Sequence, residues 1–125
     1  MKTESKDKKF DLEDRLIEFG ASVAGLIEVL PNSKAGNYIA GQLIRPGLSP
    51  VLNYGEAQSA ESRADFIHKL KIILKELRES LISLKVIQRL KLVKSEKVNP
   101  VMTEAQQLVA IFVKSIATAQ KNNSK

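Results

Sequence analysis

The apolar periodicity of this chain predicts an all-α fold, an antiparallel up-down four-helix bundle. Four segments carry apolar residues at helical spacing, and the connections between them are short, so neighbouring helices run antiparallel. With 125 residues there is enough chain for one domain and too little for two ordinary ones. A domain of this size buries roughly two-thirds of its unfolded surface, so it folds without a metal or a disulfide. Residues 1–9 read as a flexible charged tail, 10–121 as the bundle and 122–125 as a frayed tail.

In the first segment Leu12, Leu16, Phe19, Val23, Ile27 and Leu30 recur every three or four residues, the seam of a helix packed along its neighbours. Asp11 is placed to cap it and Pro31 to end it. Gly20 and Gly25 each cost about 1 kcal/mol against Ala in a helix interior, which close approach by another helix would justify.

The second helix spans about Lys34 to Ala57 and is interrupted by Arg45-Pro46-Gly47-Leu48-Ser49-Pro50. An internal proline removes a hydrogen bond and clashes with the carbonyl four residues back, at about 3 kcal/mol or more. The expectation is a kink near Pro46/Pro50, with Ser49 capping a restart whose first turn holds Pro50.

The third helix, from about Ser62 to Val93, runs some 30 residues, about 45 Å, with Phe66, Leu70, Ile73, Leu77, Leu81, Leu84 and Ile87 as its seam. Asn99-Pro100 reads as a loop. Thr103-Glu104-Ala105-Gln106 then reads as a capping box opening the fourth helix, whose seam is Ala105, Val109, Phe112, Ile116 and Ala119.

The charge is unevenly spread. Arg63 to Lys97 holds ten lysines and arginines against Asp65, Glu76, Glu79 and Glu96, so the whole net charge of +6 resides there. On the third helix, at 100° per residue, Lys71, Lys75, Arg78, Lys85 and Arg89 fall within an arc of roughly 80°, with the carboxylates on a different face. Lys71/Lys75 and Lys85/Arg89 set like charges one turn apart, each pair costing about 0.2–0.5 kcal/mol in an isolated helix. A solvated face is one reading of this stripe. The other is a partner with a phosphate backbone, since a concentrated field attracts phosphate better than dispersed charges do. Such binding is dominated by counterion release, hence steeply salt-dependent and weakly sequence-specific. No aromatic residue interleaves the stripe, so stacking platforms for single strands are not evident, and if RNA is the partner, shape and phosphate are the expected readout.

Arg45, Ser49, Asn53 and Glu56 form a polar stripe on the second helix, either a buried hydrogen-bond network fixing register or subunit contacts, or a small-ligand site. The structural version is favoured because no nucleophile and base accompany it. His68, the only histidine, has Asp65 one turn before it, too few ligands for a metal site. The absence of cysteine excludes disulfides, thiolate catalysis, zinc fingers and iron–sulfur clusters. Gly20/Gly25 and Gly36/Gly41 have phosphate-loop spacing without the following Lys-Ser/Thr. No catalytic set, cofactor or metal is called for, and an enzyme is unsupported. Met1 to Lys9 leads into no apolar stretch, and no run of eighteen apolar residues follows, so a soluble, cytoplasmic protein without membrane contact is expected.

Gln42-Leu43-Ile44-Arg45, Ser49, Asn53-Tyr54-Gly55-Glu56-Ala57, Ser62-Arg63-Ala64-Asp65-Phe66-Ile67-His68-Lys69-Leu70 and Lys75-Glu76-Leu77-Arg78-Glu79-Ser80 form a pattern. It resembles the bacterial four-helix-bundle family encoded in the intervening sequences of some 23S rRNA genes and as free-standing genes. The resemblance covers about Phe10 to Gln120, and Pro46 departs from the small residue expected after that arginine. It implies a bundle, ring-forming homo-oligomers, often pentamers, and a kinship with retroelement accessory proteins that bind a reverse transcriptase and nucleic acid. Most of that family has no established activity. Two functions compete on these grounds. One is a non-enzymatic, homo-oligomeric nucleic-acid-binding protein using the third-helix stripe; the other is an adaptor docking an acidic protein partner or a nucleic-acid enzyme such as a reverse transcriptase.

Overall fold

The computed structural model describes residues 11–124, with side chains described through Asn122. The tail expected at residues 1–9 lies outside the described residues, as does Lys125. Four helices follow one another: α1 Leu12–Glu28, α2 Lys34–Gln58, α3 Arg63–Leu90 and α4 Ser95–Ser124. Among the described residues there is no strand. Backbones approach closely between α1 and α2, α2 and α3, α3 and α4, and α1 and α4, while across a diagonal only side chains meet, Tyr54 of α2 standing edge-on to Phe112 of α4 with ring centroids 6.2 Å apart. The helices therefore stand at the corners of a bundle in chain order, with α1 diagonal to α3.

Helix starts follow the capping chemistry of their side chains. Asp11, Ser33 and Ser62 each accept a hydrogen bond at 3.0 Å from the amide three residues on. Helix α3 ends on Lys91, the only non-glycine residue with positive φ among those described, at 55°. Around it the Leu92 amide reaches the Ile87 carbonyl and the Lys91 amide reaches Gln88, a Schellman closure.

Helix α2 runs unbroken through both prolines, so the restart capped by Ser49 does not occur. Pro46 and Pro50 are buried, and burial of their rings offsets the lost hydrogen bonds. Whatever bend they impose is absorbed within one continuous helix. Pro46 is followed by Gly47, where an added Cβ would lie 2.5 Å from Val23 Cγ1. Gly20 packs against the same turn, its Cβ position 3.0 Å from Leu48 Cδ2 and 3.2 Å from the Gly47 carbonyl oxygen. The close approach expected of Gly20 is thus made to α2, whereas a Cβ added at Gly25 would meet no packed neighbour within 4 Å.

The fourth helix begins earlier than expected. It starts at Ser95 and carries Pro100 in its second turn, so Asn99-Pro100 is helix and Thr103 is an interior, exposed residue without a capping role. The physical reason is the burial of Val98 and Val101 at its start, which holds these turns against the core. Leu108, fully buried, takes the seam position expected of Val109, which is half-buried. Helix α4 continues through Ser124, across most of the stretch read as a frayed tail. The core is one cluster containing Leu16, Phe19, Val23, Leu43, Ile73, Leu77, Leu84, Ile87, Leu108 and Phe112.

Candidate nucleic-acid interface

Around α3 the side chains divide into three flanks. The inner flank enters the core with Ile73, Leu77, Leu84 and Ile87, all fully buried. It also carries Ser80, whose hydroxyl is fully buried and has no hydrogen-bond partner among the described residues.

The flank facing α2 carries charge that is paired. Arg45, extended from α2, donates to Glu76 at 2.5 Å and to Glu79 at 3.0 Å. Glu76 is buried, and Arg45 lies over it at the surface. The hydrogen bond to Glu79, then the charge of Glu76, raise the Arg45 pKa above its ordinary value. One helical stretch away, Lys69 Nζ donates to Glu56 at 2.6 Å, which raises the lysine's pKa in turn. Asn53 donates to the Ser49 carbonyl at 3.1 Å within its own helix. The α2 polar stripe is therefore distributed among three partners. Arg45 and Glu56 each reach across to α3, Ser49 and Asn53 satisfy each other, and Arg45 is not joined to Glu56.

The outward flank holds Lys71, Lys75, Arg78, Lys85 and Arg89, every one exposed. None of the five makes a hydrogen bond or an ion pair among the described residues. The carboxylates that could neutralise them from the same helix, Glu76 and Glu79, are drawn to Arg45 on the α2 flank. Exposed Lys91, Lys94 and Lys97 extend the positive surface around the turn into α4. Chemically this is a rod of unneutralised cations about 27 Å long, suited to a run of phosphates.

Elsewhere Arg15 ties α1 to α4, donating to both carboxylate oxygens of Glu104 at 3.0 and 2.8 Å, and this pairing raises its pKa. A cleft of about 560 Å³ opens between Tyr54, Phe66, Phe112, Arg63 and Lys114, and neither Arg45 nor Glu56 lines it. Burial, then Glu13 and Asp11, push the Tyr54 phenol up there. His68 is exposed, and among the described residues no three His, Cys, Asp or Glu side chains stand together in a way that could hold a metal ion. No helix of the described residues is long and apolar enough to cross a membrane.

A family model described as 23S rRNA-intervening sequence protein matches residues 8–114. A crystal structure of a protein of unknown function from the S23 ribosomal protein family of Bacteroides thetaiotaomicron VPI-5482 superposes with a TM-score of 0.77 at 30% identity. The match covers 83% of this chain and 96% of that one. No curated protein matches the chain.

Proposed function

We propose that this chain, which belongs to the 23S rRNA-intervening sequence protein family, is a non-enzymatic nucleic-acid-binding protein that holds phosphate backbones along α3. The observation that carries the reading is the set of five exposed cations at Lys71, Lys75, Arg78, Lys85 and Arg89, unpaired among the described residues while Glu76 and Glu79 of the same helix are turned to Arg45 on α2. A helix tuned only for solubility would intersperse charges of both signs on that flank. With no aromatic residue along the stripe, recognition rests on backbone charge and shape, and the family's tie to rRNA intervening sequences puts RNA ahead of DNA as the ligand. The same chemistry would serve an acidic protein surface, and that adaptor role is the second reading. A homo-oligomer, a pentameric ring in the form the resemblance implies, and a cytoplasmic location belong to the proposal.

The test is size-exclusion chromatography with light scattering, recording the 260/280 nm ratio at low and high salt. The chain has no tryptophan, so its own absorbance is weak and bound nucleic acid stands out. Nucleic acid carried at low salt and shed at high salt is the expected result. Protein that is free of nucleic acid at both salts, and that binds none when RNA is added, would overturn the reading in favour of the adaptor.

A further inference from the structure

One end of the bundle opens into a cleft that none of the five stripe cations lines. The end of α2, the start of α3 and the second half of α4 enclose about 560 Å³ there, within the range of about 300–1,000 Å³ usual for small-molecule sites. Its walls are aromatic. The chain has two tyrosines and four phenylalanines, and three of these, Tyr54, Phe66 and Phe112, line this one cleft. Phe112 is buried with Tyr54 edge-on to it, and Leu70 and Ile111 add apolar surface. A planar aromatic body packs on such rings by stacking or through its edge.

Two cations stand at the same cleft. Arg63 enters from α3, its Cζ 5.9 Å from the centroid of the Phe66 ring, and Lys114 enters from α4. Both are exposed, and neither makes an ion pair among the described residues. Arg63 is held over an aromatic face and by no carboxylate, so its hydrogen-bond donors remain free for an anion. The Tyr54 hydroxyl likewise makes no hydrogen bond among the described residues. Burial, then Glu13 and Asp11, raise its pKa, so it is a donor. Because those two carboxylates bear on the Tyr54 side, the anionic end of a ligand belongs beside Arg63 and Lys114.

We infer that this cleft binds a small aromatic anion, its ring system against Tyr54 and Phe66 and its carboxylate or sulfonate on Arg63 and Lys114. The site stands on the residues of the cleft alone and is independent of the nucleic-acid reading of α3.

The experiment is a fluorescence titration of full-length protein, stripped of nucleic acid, with 8-anilinonaphthalene-1-sulfonate, an aromatic anion whose emission rises in apolar surroundings. One probe molecule per chain is expected, with a Kd of about 10–100 µM, ordinary for a ligand of about 20 non-hydrogen atoms. Added 2-naphthoate should displace it. Arg63→Glu/Lys114→Glu should weaken binding about tenfold or more, while Lys75→Glu/Arg78→Glu/Lys85→Glu should leave it unchanged. Circular dichroism checks folding, and the neutral set Arg63→Gln/Lys114→Gln stands in if the reversal unfolds the bundle. No bound probe, binding that is lost with the α3 stripe and kept without Arg63 and Lys114, or displacement by decanoate and not by 2-naphthoate would overturn the assignment. So would fewer than one site per chain that recovers on dilution, since a second copy would then cover the cleft.

Discussion

The two sides of α3 that face α2 and solvent use charge in opposite ways. Toward α2, Glu76 and Glu79 meet Arg45 and Lys69 meets Glu56, so these charges have fixed partners and hold two helices together. Toward solvent, five cations stand without partners among the described residues. Pairing within the fold consumes a charge, and what the fold leaves unconsumed is available to something outside it. That distinction separates Arg45 from Arg78, both arginines in amphipathic helices.

Substitution on the two sides should therefore have separable effects. The largest is expected from Lys75→Glu/Arg78→Glu/Lys85→Glu, which should weaken RNA binding on the order of a hundredfold at low salt and flatten its salt dependence. Helicity by circular dichroism should stay unchanged; unaltered affinity would remove the difference between the two sides. Glu76→Ala comes next. Removing the buried acceptor beneath Arg45 should lower the thermal midpoint by roughly 3–6 °C, with Glu79→Ala, half-buried, lowering it less. Neither should weaken RNA binding, and a loss of affinity there would show that the paired side also contacts ligand. The smallest effect belongs to the inner flank. Ser80→Ala removes a buried hydroxyl without a partner among the described residues, so stability in a denaturant titration should be unchanged or higher by up to about 1 kcal/mol. A clear loss would reveal a hydrogen bond that forms in solution.

The number and order of the helices were legible in the sequence because a seam repeating every three or four residues leaves little freedom in what is buried. Leu16, Phe19 and Val23, and Leu70, Ile73, Leu77, Leu84 and Ile87, are core as their spacing implies. The start of α4 was obscured by Asn99-Pro100, a strong local turn signal that tertiary burial overrides. The signal that could have found it was present: Val98, Val101, Ala105, Leu108, Phe112, Ile116 and Ala119 continue one helical seam through the proline, and all are buried. The uninterrupted course of α2 was hidden for the same reason, since burial of Pro46 and Pro50 is a property of the packed bundle. The stripe on α3 was readable residue by residue, as it depends on one helix alone. The pairing of Arg45 with Glu76 and Glu79 was not, because it depends on how far α2 is shifted along α3.

Gly47 has a consequence for how the first two helices align. With Val23 Cγ1 only 2.5 Å from where its Cβ would be, that position admits hydrogen and nothing larger. Sliding α2 by one turn along α1, about 5.4 Å, would bring Leu43 or Val51 to the same place, and neither side chain fits there. The missing side chain thus acts as a detent, giving α1 and α2 a single longitudinal setting in a bundle whose apolar seams would otherwise tolerate several.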